Sequence, residues 1–108
     1  MRKLDLRDYQ VTQKVKSGSG EVIDITAPYM VKDSILNIMF LPDLRLQGAA
    51  LVRQNILAIK IEQAEEDWVM LEEEEYQRVK TAAEKYVAQS RADVEFIDRI
   101  LNQTPEIQ

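Results

Sequence analysis

Apolar residues recur along this chain at two different periods, and the change of period divides it into segments. Tyr9, Val11 and Val15 share one side of an alternating run, and Ile23, Ile25, Ala27, Tyr29 and Val31 share one side of a second. Between them, Gly18-Ser19-Gly20 supplies the positive φ angles of a chain reversal, so residues 9–16 and 21–27 are predicted as a β-hairpin with a loop of about four residues, or slightly longer strands. Pro28 closes the second strand or breaks its ladder. A two-stranded ribbon cannot keep a greasy face buried by itself, so the hairpin is expected to lie on helices or to add to a partner's sheet. Leu4 and Leu6 are out of phase with Tyr9 and Val11, which makes residues 1–8 either a bulged extension of the strand or an arm that packs elsewhere.

The helical period follows. Asp33 or Ser34 is placed to cap a short helix carrying Ile35, Leu36, Ile38, Met39 and Phe40, ended by Pro42. A second helix, from about Gly48 to Glu66, is apolar on a wide face: Val52, Ile56, Ile59 and Gln63 form one stripe, and Leu57, Ile61, Ala64 and Trp68 an adjoining one. Trp68-Val69-Met70-Leu71 is expected to be extended, because Glu72 to Glu75 suit the first turn of a third helix, where the dipole favours negative charge. Tyr76, Val79, Ala83, Tyr86 and Val87 are its inner stripe. Ser90 and Asp93 have capping-box spacing ahead of a last amphipathic helix with Val94, Ile97, Ile100 and Leu101, and residues 103–108 form a tail expected to fray. The fold class expected is α+β and mostly helical: one domain over residues 1–108, with an arm at 1–8, a hairpin at 9–27 and about four helices within 33–102.

Length and composition narrow the function classes. A chain of 108 residues and 12.5 kDa has room for one core, and 45% hydrophobic with 31% charged residues suits a folded domain. With no Cys and no His, thiolate nucleophiles, zinc-thiolate sites and the commonest general base are all missing. The net charge of −5 divides unevenly. Residues 1–60 hold nine Lys/Arg and six Asp/Glu, net +3, whereas residues 61–108 hold five and thirteen, net −8. An acidic second half repels phosphate backbones and anionic lipid heads, so neither direct nucleic-acid nor membrane binding is expected. The longest uninterrupted apolar stretches, Ile38 to Leu41 among them, are four residues, and Met1-Arg2-Lys3 leads into no signal-peptide core. A cytoplasmic protein is expected.

Candidate chemistry is sparse. Eight acids occupy the fourteen positions from Glu62 to Glu75, around Trp68 and Tyr76. They read as a solvated helix end and helix start, or as a docking face in which Glu65, Glu66, Asp67, Trp68, Glu73, Glu74 and Tyr76 meet a basic protein partner, aromatic anchors inside an acidic rim. A calcium loop needs a glycine turn that this run lacks. Glu21 with Asp24 and Asp93 with Asp98 are the available carboxylate pairs; the first falls on opposite strand faces, and the second is turned about 140° apart on a helix. No phosphate-cradling glycine loop is present, and no nucleophile elbow surrounds Ser17, Ser19, Ser34 or Ser90. No catalytic residue, cofactor or metal ligand is therefore assigned, and no enzyme is expected. Arg2, Lys3, Arg7, Lys14 and Lys16 read as a charged, gatekept sheet edge, or as a basic face that meets segment 62–75 of another copy head to tail, making a homo-oligomer.

Tyr29-Met30-Val31-Lys32-Asp33-Ser34-Ile35-Leu36, the step Leu71-Glu72-Glu73-Glu74-Glu75-Tyr76, and Asp93-Val94-Glu95-Phe96-Ile97-Asp98-Arg99-Ile100 resemble small phage and prophage accessory proteins over about residues 29–101. The resemblance implies a helper of virion assembly, such as a tail-assembly chaperone, or a small protein that binds a host factor, at work in the host cytoplasm. From the residues themselves the expectation is a non-enzymatic interaction protein acting through amphipathic helices and a hairpin edge. The alternative is an acidic inhibitor whose segment 62–75 imitates nucleic acid.

Overall fold

The N-terminal arm is where the core begins. In a computed structural model that describes residues 1–107, β1 (Arg2–Asp5) pairs antiparallel with β4 (Trp68–Leu71), Leu4 opposite Val69 and Arg2 opposite Leu71. Alternation sends Leu4, Val69 and Leu71 to the inner face, where all three are buried, and leaves Lys3 and Trp68 outside. The out-of-phase leucines thus mark a change of sheet. Between β1 and β2 (Tyr9–Lys16) the chain turns on Asp5, whose carboxylate accepts the Arg7 N–H at 2.9 Å, while Asp8 accepts the Val31 N–H at 2.9 Å.

The C-terminal segment lies on the other edge of β1. Lys3 N–H donates to the Pro105 carbonyl, Ile107 N–H to that of Met1, and Thr104 is buried with its hydroxyl on the Arg99 carbonyl. Residues 103–107 are therefore not a frayed tail: β1 sits between β4 and the tail and would otherwise present open backbone groups. Gln108 lies outside the described residues.

β2 and β3 (Val22–Tyr29) form the hairpin, in the register Tyr9 opposite Tyr29, Val11 opposite Ala27, Gln13 opposite Ile25 and Val15 opposite Ile23. The strands leave residues 17–21 between them, close to the loop of about four residues expected. Gly20 N–H donates to the Ser17 carbonyl and Ser17 N–H to that of Glu21, with Gly20 at φ +88°, a type I turn closed by a glycine bulge. β3 runs on two residues past Ala27, through Pro28, one of the slightly longer strands the pattern allows. Alternation from the Ser17–Glu21 pair makes Gln10–Pro28 a non-hydrogen-bonded pair, so the missing N–H of Pro28 faces outward and costs no ladder bond.

Four helices complete the body: α1 (Val31–Ile38), α2 (Gly48–Glu62), α3 (Glu73–Lys85) and α4 (Ala92–Asn102), with a 3₁₀ turn at Pro42–Leu44. Helical residues make up 47% of the chain and strands 23%, an α+β fold less helical than expected. Neither Asp33 nor Ser34 caps α1, which starts earlier, where Asp8 holds the Val31 N–H. α2 stops at Glu62 rather than Glu66. The acids of 62–67 would crowd the negative end of the helix dipole, and Lys32 instead caps the carbonyls of Glu62 and Ala64. α3 begins on the expected acids, with a reciprocal capping box between Glu72 and Glu75.

One cluster forms the core, with Leu4, Leu6, Val31, Ile35, Met39, Leu57, Ile61, Leu71, Tyr76, Val79, Phe96 and Ile100 at its centre. Three expected stripes are corrected. Val87, beyond the end of α3, is 79% exposed; in α4 the buried residues are Asp93, Phe96, Arg99 and Ile100, not Val94; and only one of the two α2 stripes, with Leu57 and Ile61, turns inward. Because Leu4 is fully buried between the β1/β4 ribbon and the helices, Leu4→Ala should cost about 3 kcal/mol in urea denaturation, as a central core position does and a flexible arm does not.

Candidate functional site

The chain offers two groups of features for function: the acidic segment and the hairpin with its mounting. The acidic residues do not gather at one place. Glu65, Glu66 and Asp67 are exposed and line a concavity of about 260 Å³ with Asp8, Met30, Lys32 and Asp33. Glu73 lies on another side, paired with Arg2 at 2.9 Å, while Glu74 pairs with Arg78 and Glu75 with Lys60 at 2.8 Å. The Arg2–Glu73 pair joins the basic arm to the acidic run inside one molecule; hydrogen bonding by Glu73 holds the guanidinium above its usual value, and Arg2 holds Glu73 below the carboxylate range. Ion pairing thus removes three acids from any open phosphate-like row. Among the described residues no group of three His, Cys, Asp or Glu side chains could hold a metal ion.

The two proposed aromatic anchors differ. Trp68 is 39% exposed, with the Lys3 ammonium 4.9 Å from its ring centroid. Tyr76 is core. It is 3% exposed, its hydroxyl donates to the Ile100 carbonyl at 2.8 Å, and Arg2 covers its ring, so it is no surface anchor.

Sequence reasoning missed the mounting of the hairpin. Asp93, 6% exposed on the first turn of α4, accepts the Tyr29 hydroxyl at 2.5 Å on one oxygen. Its other oxygen accepts the Tyr86 hydroxyl at 3.1 Å and the backbone N–H groups of Gln89 at 2.9 Å and Ser90 at 3.3 Å. The Ser90 hydroxyl in return accepts the Ala92 N–H; Ser90 and Asp93 are thus in contact, but Arg91 and not Ser90 is the N-cap of α4 and no capping box forms, so the acid serves the hub instead. Burial pushes the Asp93 carboxyl up, but the four donors outweigh it and hold the group below its ordinary 3.8. The same burial, with the bond to Asp93, drives the Tyr29 phenol far above its ordinary 10.0.

Tyr9 holds the other strand. It stacks on Tyr29 with ring centroids 4.8 Å apart, donates to the Ala92 carbonyl and accepts the Phe96 N–H at 3.1 Å. Arg99, 7% exposed, lies 5.4 Å from the Tyr9 ring centroid, donates to the Arg7 carbonyl and stands 3.6 Å from Glu95. Both strand ends are therefore gripped at the root by α4.

Beyond the root the ribbon leaves the body. An open concavity of about 610 Å³ separates β2, from Val11 to Lys14, from Ser90-Arg91-Ala92, and Val15, Ile23 and Ile25 all point outward from the face that begins at Tyr9 and Tyr29. The molecule is accordingly elongated, 53 × 32 × 23 Å. On α2 the stripe left outside contains Leu51, Val52, Ile56 and Ile59, with Asn55 among them. No helix among the described residues is long and apolar enough to cross a membrane.

Removing the hub acid leaves four donors without their acceptor, so Asp93→Ala should lose about 3 kcal/mol in denaturant unfolding, and Asp93→Asn clearly less. Because the folded-state value of Asp93 is depressed, its contribution is present at neutral pH and is lost as pH falls below about 4. All four tyrosines are raised by burial, so their contribution is intact below pH 10 and is lost as pH climbs beyond it. A urea series against pH should fall at both ends in wild type, and Asp93→Ala should flatten the acid limb. No family model matches the chain, no curated protein matches it, and no solved structure matches its fold.

Proposed function

We propose that this chain is a non-enzymatic interaction protein, an assembly factor that holds a protein partner on its projecting hairpin and on the outward face of α2. The observation that carries this reading is the combination at the hairpin: a root fixed by Asp93, Tyr9 and Arg99, and a distal face of Val15, Ile23 and Ile25 left in water. A ribbon that served only to complete a fold would lay that face on its own helices. Fixing the root also lowers the ordering cost of binding, because the ribbon is presented in one orientation.

A phage-encoded helper of virion or tail assembly, working in the host cytoplasm, is the biological role that the resemblance over residues 29–101 implies for such an interaction protein. Such a protein acts by shape, apolar contact and charge, and needs no reacting side chain. The exposed acids Glu65, Glu66 and Asp67 beside Trp68 supply a polar rim that selects against acidic partners.

Photo-crosslinking in the producing cell tests the proposal. With p-benzoylphenylalanine placed at Ile25 or at Ile56, protein adducts should form, whereas the same probe at the exposed polar position Glu84 should give few. An absence of adducts at both apolar positions, or equal yields from all three, would refute it.

A further inference from the structure

The cleft between the turn at 42–48 and α3 holds a polar atom that has no partner. Gln54, on α2, is 3% exposed, and its carboxamide Nε2 donates to the Met39 carbonyl at 2.9 Å, at the end of α1. Oε1, the other end of the same amide, accepts nothing from any described residue. Since no side-chain nitrogen or oxygen among the described residues is fully enclosed without a partner, this oxygen opens onto the cavity of about 290 Å³ that Gln54 lines. Leu44 and Leu46 come to the cavity from the turn, Arg78 and Thr81 from α3. We propose that the cavity binds a free, uncharged aromatic molecule carrying one N–H or O–H donor, of the indole or phenol type. The site shares no residue with the partner surfaces proposed above and does not depend on that reading.

Each part of the lining restricts what fits. A cavity of this volume is at the small end for ligand sites, which favours a molecule of roughly one or two rings. The two charged lining residues, Glu74 and Arg78, are paired with each other, so a charged ligand would lose its hydration and meet no free counter-charge. Leucine walls favour an apolar body, and the guanidinium beside them stacks on aromatic faces. The Gln54 oxygen sets the last requirement. In water it is hydrated; a ligand that displaces that water must bring a donor or leave the oxygen bare, which costs more than a hydrogen bond contributes. A plain hydrocarbon ring is therefore disfavoured, and one with a single N–H or O–H is preferred.

Walls and floor are fixed before any ligand arrives. Leu44 and Leu46 flank Arg45, whose φ of +50° is left-handed, the one such non-glycine residue among those described, and whose N–H closes on the Pro42 carbonyl at 3.0 Å. Such a conformation persists only where its surroundings hold it, and Leu44 packs against the core cluster. The Gln54 amide is held in turn through its other end by Met39, which is fully buried. Preorganisation of this kind lowers the ordering cost of binding.

A proton–nitrogen correlation titration of the full chain with indole tests this, with 1-methylindole as the ligand that keeps the body and lacks the donor. Indole should shift the Gln54 side-chain amide and the backbone amides of Leu44, Leu46, Arg78 and Thr81 saturably, and 1-methylindole should bind about tenfold more weakly. Gln54→Met keeps the length of the side chain and removes the acceptor, so the two ligands should become equal. Leu46→Arg, at a residue outside the core cluster, should fill the cavity and abolish binding with the thermal midpoint unchanged, and it decides the matter if Gln54→Met does not fold. No saturable shift up to the solubility of indole, shifts centred elsewhere, equal affinity of wild type for the two ligands, discrimination that persists in Gln54→Met, or binding that survives Leu46→Arg overturns the proposal. So does N-acetyltryptophanamide binding more tightly than indole, which would make the cavity a slot for a tryptophan of a protein partner.

Discussion

A single buried carboxylate governs how this molecule is arranged. Asp93 sits where the hairpin root, the end of α3 and the start of α4 converge, and its two oxygens collect a phenol from each of the first two and two backbone N–H groups from the turn before α4. A charge in that position is tolerable only because both oxygens are engaged, by four donors in all, and the donors in turn depend on the charge. The stacked pair of Tyr9 and Tyr29, in contact with Phe96, carries the constraint from α4 to both strands at once. Orientation of the hairpin is thus set by polar groups with strict geometry, while the core beneath is set by ordinary aliphatic packing.

That division explains why the distal ribbon can remain uncovered. Its first pair of residues is held by rings and hydrogen bonds, so its remaining apolar pairs are not needed to anchor it and are free to face solvent. α2 repeats the arrangement in another form, with Leu57, Ala58 and Ile61 joining it to the core while the opposite face keeps its own aliphatic row. Both surfaces carry a cost in water, which the protein contact proposed above would offset.

Much of the secondary structure was legible from periodicity: the hairpin, the extended Trp68–Leu71 segment and the acidic start of α3 all follow from local pattern. The pairing of β1 with β4 was not, because residues 2–5 and 68–71 are far apart in sequence and strand alternation carries no information about partners. The Asp93 hub was hidden for a related reason. Ser90 and Asp93 read locally as a helix cap, whereas the wider role depends on Tyr29, sixty-four residues earlier, arriving beside it. The acidic run drew attention by density alone, and the fold disperses it, pairing Glu73, Glu74 and Glu75 internally and placing Tyr76 in the core. Which α2 stripe faces inward was likewise undetermined by the sequence, since both are apolar.

The most direct test of a rigidly mounted, projecting hairpin is a distance measurement between its tip and the body. The chain has no cysteine, so Ser19→Cys with Gln63→Cys gives a unique pair of sites for spin labels and pulsed electron resonance. A dilute sample should give one narrow distance population that broadens when Asp93→Ala is added. A broad distribution already present with Asp93 intact, or one indifferent to its removal, would contradict the account.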